Sequence, residues 1–244
     1  MVRPARPQRP RERPFDRETP VERRRRAGRI ARLLAKAYPD ARCALHFRNP
    51  FELLVATILS AQCTDKKVNE VTPALFAAYP TPAALAAAPP AAVEARVRPT
   101  GFYRQKARAI QSAARDLTER FGGRVPDAME GLISLHGVAR KTANVVLGNA
   151  FGIPGLTVDT HMKRVNARLG LTENDDPEKI ERDLAALIPE REWTSYSHRV
   201  IHHGRVCCDA RRPRCDACPL RAECPWPESS DRSTRARPRR SRAA

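Results

Sequence analysis

The sequence predicts an all-α fold, and three observations carry that prediction. Apolar residues recur at three- and four-residue spacing in segment after segment, which places them on one face of a helix. No segment sustains the every-second-residue alternation of a half-buried strand. Proline and glycine fall between the periodic segments, where they start and stop helices.

Taken in order, Ile30, Leu33, Leu34 and Ala37 mark the first helix. FELLVATILSAQ (51–62) is apolar nearly all round, the pattern of a central buried helix. Val68, Val71, Leu75 and Phe76 define the next, closed by Pro80. The Ala/Pro-rich stretch 80–92 reads as one short helix between turns. Ala107, Ile110, Ala114, Leu117 and Phe121 make a long helix, stopped by Gly122 and Gly123. Asp127 is placed to cap a short helix running to Leu135. Asp176 and Pro177 give a cap and a first helical residue for a helix that turns Ile180, Leu184, Leu187 and Ile188 inward. A last helix, Ser195 to Val206, delivers the chain to Cys208.

The 244 residues allow one large domain or two small ones. Net charge is +18. Residues 1–29 hold eleven Arg against four acids, and 227–244 hold six against two, so +7 remains for residues 30–226. A basic body with basic ends favours a polyanion, nucleic acid first. No apolar run approaches the roughly 20 residues of a membrane span. The Arg- and Pro-rich start lacks the apolar core of a secretory signal, so residues 1–22, like 227–244, are expected to be disordered basic tails. Seven cysteines without an export signal argue for reduced thiols in the cytoplasm, used for metal or chemistry.

Four of those cysteines form one motif. Cys208, Cys215, Cys218 and Cys224 read C-x6-C-x2-C-x5-C and lie within seventeen residues, close enough to enclose one metal centre. Spacing alone leaves zinc and iron–sulfur open. Cys207 breaks the spacing, and Cys43 and Cys63, in helical context, read as buried thiols. Arg211, Arg212 and Arg214 sit between the first two ligands. A metal-pinned loop carrying three arginines suits a rigid grip on an anion. A second pattern is ISLHGVARKTANVVLGNAF (133–151). Gly137 in a tight turn, then a helix opening with Arg140 and Lys141, makes a phosphate cradle or an ordinary helix–turn–helix.

LHGVARKTANVVL resembles the helix-hairpin-helix of endonuclease III-type DNA glycosylases, whose pattern is L-P-G-V-G-R-K-T-A. VDTH (158–161), SAQCTD (60–65), TGFYRQKA (100–107) and the cysteine spacing match further family segments in the same order, over roughly residues 25–226. The resemblance implies a helix-hairpin-helix DNA glycosylase fold. A six-helix barrel domain would span 43–153, and a helical [4Fe–4S] domain would combine 23–42 with 154–226. It implies a bifunctional enzyme that removes oxidised pyrimidines from damaged double-stranded DNA and cleaves the abasic site by β-elimination. Lys141 would be the nucleophile and Asp159 the catalytic carboxylate, also placed as an N-cap. Gln62 would fill the gap left by the flipped nucleotide, and Phe102 would wedge the orphaned strand. Gly137, Ala139, Arg140 and Arg211, Arg212 and Arg214 would contact the backbone, with the four cysteines holding the cluster.

Two positions depart from the family: His136 stands for Pro and Ala139 for Gly. At positive φ Ala139 carries strain of order 1 kcal/mol; at ordinary φ its methyl crowds an approaching phosphate. Weaker DNA binding than in a Gly-containing relative is expected either way. A monomer in the cytoplasm, nucleoid-associated in a bacterium, fits these features. An adenine-mismatch glycosylase of the same superfamily, and a non-catalytic DNA-binding relative, are the alternatives. The first lacks a lysine at the position of Lys141 and carries an extra C-terminal domain.

Overall fold

The computed structural model describes residues 18–226. The tails expected at 1–22 and 227–244 lie outside it, except 18–22. Those five residues are ordered, because Thr19 and Glu22 form a reciprocal capping box that starts α1 (Pro20–Ala37). Every regular element among the described residues is helical.

The buried helix read at 51–62 is α2 (Pro50–Leu59), capped by Asn49, with Phe51 through Leu59 all buried. Thr64 caps α3 (Asp65–Ala78). The single helix expected at 80–92 is two, α4 (Pro82–Ala87) and α5 (Pro90–Val97). The break is steric: Ala88 precedes Pro89 and is extended, with ψ 142°. The long helix α6 (Tyr103–Phe121) stops at Gly122 in the left-handed region, and Gly123 N–H reaches back to Leu117 O at 2.8 Å.

Asp127 does not cap the next helix. The N-cap of α7 (Met129–Ile133) is Ala128, with no side-chain bond, and the helix ends two residues before Leu135. A turn leads to α8 (Arg140–Val146), which widens into a π turn over Leu147–Phe151. Then come α9 (Thr160–Arg168), α10 (Pro177–Leu187), capped by Asp176 as read, and α11 (Trp193–Val206).

Two hydrophobic cores result. One gathers residues from Leu45 to Leu147, with α2 at its centre. The other joins α1 to residues between Leu156 and Leu220. Arg26 helps close the second core. Its buried guanidinium donates to Leu169 O at 2.6 Å and Glu223 O at 3.1 Å and pairs with Glu18. Ion pairs also run between the two groups of helices: Arg140 with Glu181, and Arg205 with Asp65, each at 2.9 Å. No helix among the described residues is long and apolar enough to cross a membrane.

Candidate active site and nucleic-acid interface

Lys141 and Asp159 come from different cores and line one cleft of about 610 Å³, a size suited to a nucleoside-sized ligand. Lys141 is the second residue of α8, exposed, with no ion pair to any described residue. Asp159 is half-buried and caps α9, its Oδ1 accepting from Met162 N–H at 2.8 Å. A cap held this way fixes the direction of the carboxylate.

The two are brought together by the segment 153–159. Gly155 lies so close to α8 that a Cβ there would fall 2.8 Å from Asn144 Oδ1. Asn144, itself buried, donates to Leu156 O at 2.8 Å. On the other side, Ser197 Oγ of α11 accepts from Thr157 N–H at 3.0 Å. The segment is therefore pinned between α8 and α11 just before Asp159.

His161 follows on α9, its pKa lowered by burial against an opposing pull from Asp159. His198, in the cleft lining, is also lowered by burial. In both, burial favours the neutral ring. Arg205 and Asp65 lie at the cleft mouth.

In the hairpin, Gly137 has φ +76°, which favours glycine, and a Cβ would press on Ala109 Cβ at 3.2 Å. Ala139 is extended, φ −90° and ψ 165°. The strain considered for it does not arise, which leaves the methyl as its one difference from glycine. No side chain caps α8, which leaves its first turn without a side-chain acceptor at the N-cap. Asp116 steadies the turn by accepting from His136 N–H at 2.9 Å. Arg140, half-exposed, is engaged by both carboxylate oxygens of Glu181.

Gln62 and Phe102 are the two non-glycine residues with positive φ among the described residues, at +50° and +48°. Each costs about 1 kcal/mol of backbone strain, and such strain collects at functional positions. Both are exposed, Phe102 by 62%. The buried ammonium of Lys106 holds the Phe102 turn by donating to Thr100 O at 2.7 Å.

Cys208, Cys215, Cys218 and Cys224 all line one pocket, roofed by Leu169, Leu220 and Trp226. Burial first, then the neighbouring sulfurs, push the thiols of Cys218 and Cys224 up, Cys224 to about 11. Four sulfur donors gathered in one pocket, able to bind as thiolates once a cation offsets their burial, fit a metal centre. The sequence reading missed the arginines that shape this loop. Arg168 of α9 reaches Cys208 Sγ at 3.2 Å, Asp209 O at 2.6 Å and Ala210 O at 2.8 Å, and Arg164 reaches Cys208 O at 3.2 Å. Their i, i+4 spacing on one helix was the available signal. Asp209 Oδ1 accepts from the N–H groups of Arg211 and Arg212 at 2.8 and 2.9 Å. The side chains of Arg211, Arg212 and Arg214 are exposed and carry no ion pair to a described residue.

Residues 55–190 match the family model described as HhH-GPD superfamily base excision DNA repair protein. Endonuclease III of Synechocystis sp. is 53% identical over 86% of this chain and 96% of its own length. The Escherichia coli K12 protein of the same name is 40% identical over 79% and 92%. A solved non-covalent endonuclease III–DNA complex superposes with TM-score 0.81 at 44% identity, covering 86% of this chain and 98% of that one. A thermostable thymine-DNA glycosylase, 21% identical with TM-score 0.78, shares the fold. The chain belongs to the HhH-GPD superfamily of base excision DNA repair proteins. Within that class it is a member of the endonuclease III family. Its activity class is DNA glycosylase and abasic-site lyase.

Proposed function

We propose that this enzyme removes oxidised pyrimidines from damaged double-stranded DNA in the cytoplasm, as a monomer, and then cleaves the strand. The reading rests on one observation above all: Lys141 and Asp159, delivered by helices of different cores, line the same cleft. DNA lies over the cleft with its backbone on the hairpin at Gly137 and Ala139 and on the arginine loop. Gln62 fills the gap left by a nucleotide rotated into the cleft, and Phe102 presses against the orphaned strand. The two cores support a division into a barrel domain at 43–153 and a second domain formed by 23–42 with 154–226.

The neutral Lys141 amine attacks C1′ of the flipped nucleotide, and the damaged base departs with the electron pair of the glycosidic bond. Loss of the amine proton gives a Schiff base with the opened sugar. A proton then leaves C2′ and the 3′ phosphate is expelled by β-elimination, after which water releases Lys141. Asp159, its carboxylate oriented by its cap, stabilises the positive charge developing at C1′ and takes up protons from the amine. Arg140, tied to Glu181, holds the hairpin against α10 beside the lysine.

The four cysteines would hold a [4Fe–4S] cluster, which supplies a compact charged centre around which the loop is fixed. The loop then presents Arg211, Arg212 and Arg214 to phosphates as a rigid array.

Single-turnover excision on a thymine-glycol duplex, with an A·G mismatch duplex alongside, tests the substrate class. Excision of thymine glycol is expected. Activity confined to the mismatch, or to neither duplex, would favour the adenine-mismatch or non-catalytic reading. Borohydride is expected to cross-link the wild type to abasic DNA and to leave Lys141→Ala uncrosslinked. Equal trapping of that variant would remove Lys141 as nucleophile.

A further inference from the structure

Cys207 falls outside the four-cysteine spacing, yet its side chain enters the same pocket. Cys207 and Cys208 follow each other at the end of α11, both N–H groups donating to His203 O at 2.9 Å. The Cys208 sulfur meets Arg168 at 3.2 Å. The Cys207 sulfur, which donates to Arg214 O at 3.7 Å, lies near Cys218 and the ring of His203. The ligand atoms of His203, Cys207 and Cys218 all lie within 4.8 Å of one another, with His203 Nε2 and Cys218 Sγ 3.7 Å apart. Among the described residues no other group of three or more His, Cys, Asp or Glu side chains is gathered so tightly.

The His203–Cys218 separation of 3.7 Å is that of two ligands on one ion, and the whole group, within 4.8 Å, lies close to it. A tetrahedral zinc with Zn–S about 2.3 Å and Zn–N about 2.0 Å leaves neighbouring ligand atoms about 3.5–3.8 Å apart. The imidazole is also prepared for the role. Its Nδ1 lies 2.9 Å from the Tyr38 hydroxyl, which can accept the Nδ1–H and leave the Nε2 lone pair for a metal. A ligating histidine is regularly fixed by such a bond on its far nitrogen. His203 and Cys207 are buried, so a short move of the sulfurs, with no opening of the fold, closes the set.

We propose that His203, Cys207 and Cys218 form a second ligand set, overlapping the four-cysteine set at Cys218, which takes one zinc-class divalent cation in a chain that lacks its cluster. The thiol protons of Cys207 and Cys218 leave to solvent as the two thiolates bind. A further thiol of the pocket or a water completes the tetrahedron. Soft sulfur with imidazole selects Zn²⁺ over Mg²⁺ or Ca²⁺. Because Cys218 serves both sets, the ion and the cluster exclude each other.

The test compares full-length protein made in iron-depleted, zinc-supplemented medium with protein made in iron-replete medium. About one zinc per chain is expected in the first preparation, and zinc-edge absorption spectroscopy is expected to show sulfur together with one imidazole. Substitution by Co²⁺ should give tetrahedral bands that shift in Cys207→Ser. Cys207→Ser should retain at least tenfold less zinc than the wild type against a weak chelator, yet hold full iron and its brown colour in the second preparation. No bound zinc, a pure four-sulfur shell, or unchanged zinc retention in Cys207→Ser would each overturn the proposal. The spectroscopy is read on wild-type protein and so stands even where a variant fails to fold. Iron content of the iron-replete wild type separately reads the cluster assignment, so the two ideas fail independently.

Discussion

Replacing Gly155 by alanine tests how the cleft shared by Lys141 and Asp159 is held together. The backbone there needs no positive φ, so packing alone decides the result. The new methyl would stand 2.8 Å from Asn144 Oδ1 and 3.2 Å from Asn144 Cβ and Cγ. Asn144 is buried and cannot swing aside without breaking its bond to Leu156 O. Overpacking costs about 1–3 kcal/mol, and orphaning a buried amide adds about 1–3 kcal/mol. With partial relaxation, a loss of about 2–4 kcal/mol is expected, which lowers Tm by roughly 5–12 °C in a chain of this size. The displaced segment leads directly into Asp159, so a shift of about 1 Å should also slow single-turnover excision by up to about 100-fold. Calorimetry and quenched-flow excision are the assays. Asn144→Ala in the same chain removes the obstructing group, so the double variant should be less destabilised than the sum of the singles. Melting of Gly155→Ala within about 0.5 kcal/mol of wild type, or strict additivity of the pair, would refute the reasoning.

Asp159→Asn keeps a good N-cap, so its melting should change little while excision and borohydride trapping fall by orders of magnitude; a parallel loss of stability would mean that the carboxylate is mainly structural. Ala139→Gly should tighten binding to an abasic-analogue duplex several-fold by removing the methyl from the phosphate's approach, and unchanged affinity in a filter-binding assay would show that the methyl is harmless. Neutralising Arg211, Arg212 and Arg214 together should weaken binding to every DNA sequence and reduce the salt slope by about 3, with single-turnover chemistry on saturated enzyme nearly intact.

Features set by neighbours in sequence were legible from it. Asp159 as an N-cap, Asp176–Pro177 as a helix start and Gly122–Gly123 as a stop each depend on a few adjacent residues, and each is found where read. Local reading failed where two local signals competed. Asp127 yields the cap position to Ala128, and a proline pair divides the helix expected at 80–92. What was not legible is long-range. Arg140 meets Glu181 forty-one residues away, and Arg168 meets the Cys208 loop across a similar span. The close approach of Gly155 to Asn144 and the left-handed backbone of Gln62 and Phe102 have no signature in residue type. For those two residues the family resemblance pointed to the position, and only the conformation shows that the chain sustains strain there.

The grip of α1 on the far end of the chain bears on how the protein is made. Arg26 and Arg29 both bind Glu223, almost two hundred residues later. During synthesis α1 is therefore complete long before its partners exist, kept helical by its own capping box. The core between Leu45 and Leu147 is continuous in sequence and can consolidate on the ribosome as it emerges. The second core must wait for α9, α10 and α11, and α1 completes its grip only when Glu223 has left the exit tunnel. Of the two pins on the segment leading to Asp159, the one from Asn144 is available early and the one from Ser197 arrives only with α11, so a nascent chain truncated before α11 holds Asp159 beside Lys141 by one pin alone.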